Sequence, residues 1–237
     1  MNMRERFSPL PLTLTLPLQI ADRIAQSIVE EKFVPGERLK EVELAVAFGV
    51  SRATIREALR ILEKRGIVSI LPQHGAHVSK LSRQELEDMF DIRIVLLGLA
   101  SRTLARRVNQ ELERQLREAL GRLEDAREDA NEYARASAAI TLLIAELSGN
   151  TQLSEHIRSF AQHIGRYARL GFTTAARRSQ SLRDWKKLMR AILAGEAELA
   201  ETLHRDLSQA NRAAALAELD RRSKEEEGMQ RKTRRTA

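Results

Sequence analysis

The sequence predicts a mainly α fold: an N-terminal winged helix-turn-helix, α with a small β-wing, followed by a C-terminal all-α helical bundle. Three observations predict it. Apolar residues recur at three- and four-residue spacing over most of the 237 residues, the period of amphipathic helices. Two helical segments flank Gly49 and run directly into a strand–turn–strand pattern, and no strand-like alternation follows residue 80. Only 11 Gly and 5 Pro leave little turn material for an all-β fold.

Residues 1–16 lack periodicity and are rich in proline, so they read as a flexible arm. From Pro17, the residues Leu18, Ala21, Ile24, Ala25, Ile28 and Val29 mark a helix, which Pro35-Gly36 ends. A short helix Glu41–Phe48 stops at Gly49. A second starts after Ser51, a good N-cap residue, and runs to about Arg65 before Gly66. Ile67–Leu71 reads as a strand, Pro72–Gly75 as a turn and Ala76–Ser79 as the returning strand. These segments make one domain, 17–80.

Ser82 and Glu85 have the spacing of a capping box and open a second domain, 82–220. Its helices are expected at about Ser82–Arg107, Glu111–Arg127, Ala130–Leu147, Thr151–Phe172, Ser179–Ala194 and Glu196–Leu219. Residues 221–237 are charged and poor in apolar side chains, and read as a basic disordered tail.

Composition narrows the function. The absence of cysteine excludes disulfides, thiolate metal sites and thiol nucleophiles. No Gly-x-Ser-x-Gly, His-Glu-x-x-His, Walker loop or dinucleotide fingerprint occurs, so an enzyme is not expected. No apolar run is long enough to span a bilayer. The stretch Leu10–Leu18 is interrupted by Pro11 and Pro17 and precedes no small-residue cleavage site. A soluble, cytoplasmic protein without a membrane partner is expected. The net charge of +7 is unevenly spread: residues 1–80 hold 12 Lys and Arg against 9 Asp and Glu, residues 221–237 hold 7 against 3, and the remainder balances. A neutral body with basic ends suits a polyanionic partner.

The segment 41–65 carries the recognition chemistry. Ala45 lies one turn before Gly49, which lets two helices approach across a short turn, with Leu44, Phe48, Val50, Ile55, Leu59 and Leu62 as the shared core. Ser51, Arg52, Thr54 and Arg56 then fall at the N-terminal end of the second helix. In a helix-turn-helix this end enters the major groove, where Arg reads guanine and Ser or Thr binds phosphate or base edges. His74 and Gly75, at the wing tip, are candidates to approach phosphate or the minor groove.

On Pro35–Leu39, Val50–Leu59, Gly66–Val68 and the wing from Pro72 to Val78, residues 17–79 resemble the winged helix of the GntR family of bacterial transcription regulators. Residues 82–220 resemble the FCD effector domain of the FadR-like branch, through Asp91-Ile92-Arg93, Ser148-Gly149-Asn150 and Arg190–Gly195. The resemblance implies a homodimeric repressor or activator, with a repressor expected, that binds a palindromic double-stranded DNA operator and is released or engaged by a small-molecule effector. Ser51, Arg52, Thr54 and Arg56 match contacting positions of the family's recognition helix. Ala53 replaces a frequent Thr, and Val42 stands where the fatty-acid-responsive member has a DNA-touching arginine.

The body departs further. Many FCD domains bind a divalent metal through one carboxylate and three histidines, yet the matching positions here are Ser137, Thr141, Trp185 and Leu207. None is a good ligand, so no metal or other cofactor is expected. A relocated site would have to use His163 or His204. Tyr133, Ser137 and Thr141 recur every four residues and share one helix face. With Trp185 they form an expected effector pocket, apolar with hydroxyl donors. Arg93 matches a family position facing that pocket, where it would anchor a carboxylate, which points to an organic acid. A DNA-binding protein whose degenerate pocket takes no effector is the alternative.

Overall fold

The computed structural model describes residues 15–236, with side chains through residue 225. Residues 1–14 of the expected arm lie outside the described residues. The chain forms two compact units, 1–80 and 81–237.

In the first unit, α1 (Leu16–Val29) carries proline in its first turn and buries Ile20, Ala21, Ile24, Ala25 and Ile28. It packs on α3 (Arg52–Lys64), which buries Ile55, Ala58, Leu59 and Leu62. Between them, α2 (Glu41–Phe48) ends on Gly49 at φ 65°, a left-handed conformation that a side chain would strain. That turn lets the Val50 N–H donate to the Ala45 carbonyl at 3.1 Å. Phe48 and Val50 are only partly buried against the shared core.

The wing has three strands rather than the expected two. β1 (Arg38–Leu39), β2 (Val68–Leu71) and β3 (Gly75–Val78) form an antiparallel sheet in the order β1-β3-β2. Arg38 is opposite His77 and Leu39 opposite Ala76, while Val68 is opposite Val78. A two-residue strand has too short a pattern to be legible as alternation; pairing with β3 creates it.

The second unit is helical: α4 (Arg83–Ala105), α5 (Gln110–Asp125), α6 (Ala130–Leu147), α7 (Thr151–Leu170), α8 (Ala175–Leu193) and α9 (Ala197–Thr236), with a 3-10 turn at Ala126–Glu128. The Ser82–Glu85 capping box opens α4 with both reciprocal bonds in place. α8 starts at Ala175, earlier than the expected Ser179, because Thr174 caps it by accepting from the Arg177 N–H. α4 and α9 run against each other, and Gly98 permits the approach: a Cβ there would meet the Arg205 side chain at 2.8 Å.

α9 also continues past Arg221, where the sequence predicts a disordered tail. Arg221 pairs with Glu218 at 2.8 Å and with Glu225 at 2.5 Å, and Arg222 pairs with Glu218 at 2.9 Å. Pairs at three- and four-residue spacing support exposed helix, which compositional reasoning on charge alone overlooks.

Candidate DNA interface and effector site

The first site is built on the N-terminal turn of α3. Ser51 caps it: its hydroxyl accepts from the Thr54 N–H at 3.2 Å and lies 2.8 Å from the Thr54 hydroxyl. Both hydroxyls are therefore engaged with each other, yet each keeps hydrogen-bonding capacity for a partner outside. Arg52 and Arg56 are more than half exposed, and both turn towards Glu41 at the start of α2. Arg56 Nε donates to its carboxylate at 2.8 Å, and an Arg52 terminal nitrogen lies at 3.6 Å. One carboxylate thus holds two guanidinium groups over the same helix end. A surface pair of this kind adds little stability; its effect is to restrict where the arginines point.

The wing carries His74, exposed, and Gly75 at φ 85°. A Cβ on Gly75 would stand 3.6 Å from Arg38 Nε and from its Nη2. Arg38 is exposed and makes no ion pair among the described residues. Sequence reasoning missed it, because the β1–β3 pairing alone brings it beside the wing tip. The structure thus gathers Ser51, Arg52, Thr54 and Arg56 at one helix end, and His74 and Gly75 with Arg38 at the wing.

The second site lies in the helical unit. Tyr133, Ser137 and Thr141 are all buried on α6, as spacing predicts. The Thr141 hydroxyl donates to the Ser137 carbonyl at 2.9 Å, so its proton is used within its own helix. The Tyr133 ring packs edge-on against Phe172 at 5.2 Å, and burial pushes its hydroxyl up to about 12, partly countered by Ser181 and Arg177 beside it. Trp185 is fully buried on α8, with its ring 5.5 Å from that of His204.

Arg93 on α4 has no hydrogen bond or ion pair among the described residues. Desolvation lowers its guanidinium to about 10. Complete burial, with the field of Arg93 added, holds His204 down at about 3, so that imidazole is neutral at physiological pH. His204 Nδ1 meets the Ser101 hydroxyl at 2.6 Å, while its Nε2 is buried without a partner. Arg93 therefore neighbours His204, and His204 neighbours Trp185. No hydrogen bond joins Arg93 directly to Tyr133, Ser137, Thr141 or Trp185 among the described residues.

These residues do not fit the divalent metal of related domains. At the positions that the resemblance assigns to ligands, Trp185 and Leu207 are buried apolar side chains and Thr141 is hydrogen-bonded to its own helix. Among the described residues no three His, Cys, Asp or Glu gather to hold an ion. Sequence reasoning also missed Ser181 and Arg177, although they stand one and two turns before Trp185 on the same face of α8. Continuing the four-residue period from Trp185 would have found both.

Comparison with known proteins agrees with this anatomy. Residues 16–78 match the model for bacterial regulatory proteins of the gntR family, and residues 88–223 match the FCD domain. The HTH-type transcriptional regulator YdhC of Bacillus subtilis is 29% identical over 192 residues, covering 78% of this chain and 84% of that one. The HTH-type transcriptional repressor RspR of Escherichia coli is 33% identical over 92 residues, covering 39% of this chain and 40% of that one. Among solved structures, E. coli McbR/YncC has a TM-score of 0.80 at 22% identity, over 87% of this chain and 100% of that chain, and so shares the fold. No helix among the described residues is long and apolar enough to cross a membrane. With a winged helix-turn-helix ahead of an FCD domain, this chain belongs to the GntR family of DNA-binding transcriptional regulators.

Proposed function

We propose that the protein is a cytoplasmic homodimeric repressor that binds a palindromic double-stranded DNA operator and is released by a small organic acid bound in its helical domain. The observation that carries the DNA reading is the pair Arg52 and Arg56, exposed at the N-terminal end of α3 and steered by Glu41. From that end guanidinium groups reach guanine edges, Ser51 and Thr54 serve phosphate or base edges, and the wing residues His74, Gly75 and Arg38 approach the backbone. Two recognition helices related by a dyad require a palindromic site. The dimer is supported by Ile92, Val95 and Leu99, which lie on one face of α4 with 52%, 52% and 41% of their surface exposed. The repressor sense follows the name of the relative RspR.

The effector reading rests on Arg93, a partly buried cation without an ion pair among the described residues, as the anchor for an anionic group. Tyr133, Ser137, Thr141 and Trp185 supply the buried lining, with no cofactor required. Selection from random duplexes by the full chain should enrich an inverted repeat. Arg52→Ala should lose ~1–3 kcal/mol of discrimination at one symmetry-related base pair. An equal loss on operator and random DNA would reduce Arg52 to a phosphate contact. Thermal-shift screening of organic acids, followed by operator release, tests the effector half.

A further inference from the structure

Two neighbouring arginines at the start of α8 meet opposite surroundings. Arg178 is buried and saturated: it donates to the carbonyls of Arg127 at 2.7 Å, Phe172 at 3.0 Å, and Thr173 and Glu128 at 3.1 Å. It fastens the α7–α8 loop to the 3-10 turn. Arg177 has no such role. Its Nε and both terminal nitrogens are buried, and none has a hydrogen-bond partner. Asp184 reaches it only through its field, and that carboxylate already accepts from Gln180 at 3.0 and 3.1 Å.

The atoms around Arg177 share the deficit. The indole N–H of Trp185, two turns along the same face, is buried without a partner. The hydroxyls of Ser181, one turn along, and of Tyr133 on α6 are buried near Arg177 and find no partner beyond each other. A guanidinium and an indole N–H can only donate, and at least one of the two hydroxyls keeps a proton to give. Buried polar groups are normally paired, and an uncompensated buried cation is costly. What this group lacks is an acceptor-rich partner of negative charge.

We propose that Arg177, Tyr133 and Ser181 form an oxyanion-binding subsite in the helical domain, separate from Arg93, so that the effector is a small acid with two anionic groups on an apolar body. This rests on the reading that the domain binds an effector. The two cations attend different parts of the lining: the field of Arg93 falls on His204, and that of Arg177 on Tyr133. The Trp185 ring stands against His204 and the Phe172 ring against Tyr133, so each cation's neighbour carries an aromatic surface that suits an apolar spacer.

Trp185 is the chain's single tryptophan, so its emission reports binding at this place. The full-length dimer is titrated with straight-chain dicarboxylates from succinate to sebacate, their matching monocarboxylates, and inorganic phosphate. At least one diacid should bind about tenfold or more tightly than its monoacid. Arg177→Met should erase that preference while sparing monoacid binding, and should raise the thermal midpoint of the free protein, because a desolvated cation is replaced by an apolar chain. Phosphate binding that Arg177→Met abolishes would also support the subsite and identify phosphate as its group. A diacid preference that survives Arg177→Met overturns the assignment, as does a fall in thermal midpoint. Monoacids that bind as well as diacids also overturn it, yet leave the effector reading standing. Silence of the whole panel defeats the oxyanion subsite, whereas the effector reading is judged by the wider thermal-shift screen and operator release.

Discussion

Arg56 and Glu41 are joined at 2.8 Å across the helix-turn-helix, and Arg52 approaches the same carboxylate. The start of α2 therefore sets the direction of the arginines that α3 presents. Because the arginines are exposed and Glu41 is only partly buried, the link costs little to break.

Replacing Glu41 by Gln should separate pointing from charge. The variant keeps the shape of the side chain but loosens its hold on both guanidinium groups and removes a negative charge from the proposed DNA face. Affinity for random DNA should rise, and the slope of log affinity against log salt should steepen by about one. The ratio of operator to random binding should fall. A variant with unchanged slope and ratio would show that Glu41 neither steers nor screens.

Arg38 offers the opposite behaviour. The β1–β3 pairing places it beside Gly75 at the wing, and on the proposed reading it meets phosphate rather than base edges. Arg38→Ala should weaken operator and random DNA by the same factor and lower the salt slope by about one. A loss confined to particular base pairs, seen in a panel of single-position operator variants, would assign Arg38 to sequence readout instead.

The apolar face of α4 sets a test of assembly. Val95→Glu places a charge in the middle of the Ile92–Val95–Leu99 face, where burial against a second copy would be prohibitive. The variant should sediment as a folded monomer and lose operator affinity steeply, since its two half-sites no longer act together. A stable dimer at the wild-type mass would place the interface elsewhere.

His204 makes stability depend on pH. Its folded pKa of about 3 lies below the ordinary histidine value of 6.5. The unfolded chain therefore binds the proton that the folded one refuses, and stability falls as pH drops through the ordinary value, continuing down to about 3. Between pH 7 and pH 5 this contributes a loss of about 2 kcal/mol. His204→Asn, which can still meet Ser101, should remove that loss from urea unfolding curves measured at both pH values. Equal pH dependence in both proteins would locate the effect in other groups, with His163, also lowered by burial, the next to examine.

Local order was written in the sequence. Apolar spacing fixed the existence of the helices. Ser51 and the Ser82–Glu85 pair fixed two of their starts, and Gly49 fixed the turn between α2 and α3, because each of these acts within one helical turn of itself. The same locality placed Ser51, Arg52, Thr54 and Arg56 together, and set Tyr133, Ser137 and Thr141 on one face of α6. Tertiary structure decided the rest. β1 exists only through its pairing with β3, and that pairing alone carries Arg38 to the wing. Glu41 and Arg56 meet because two helices cross, and no sequence spacing announces it. Arg177 and Arg178 are chemically identical neighbours, yet one is spent on four carbonyls while the other stays unpaired. Their difference lies in which wall of the bundle each faces, because hydrogen bonding and desolvation depend on groups brought close in space by folding rather than by the order of the chain.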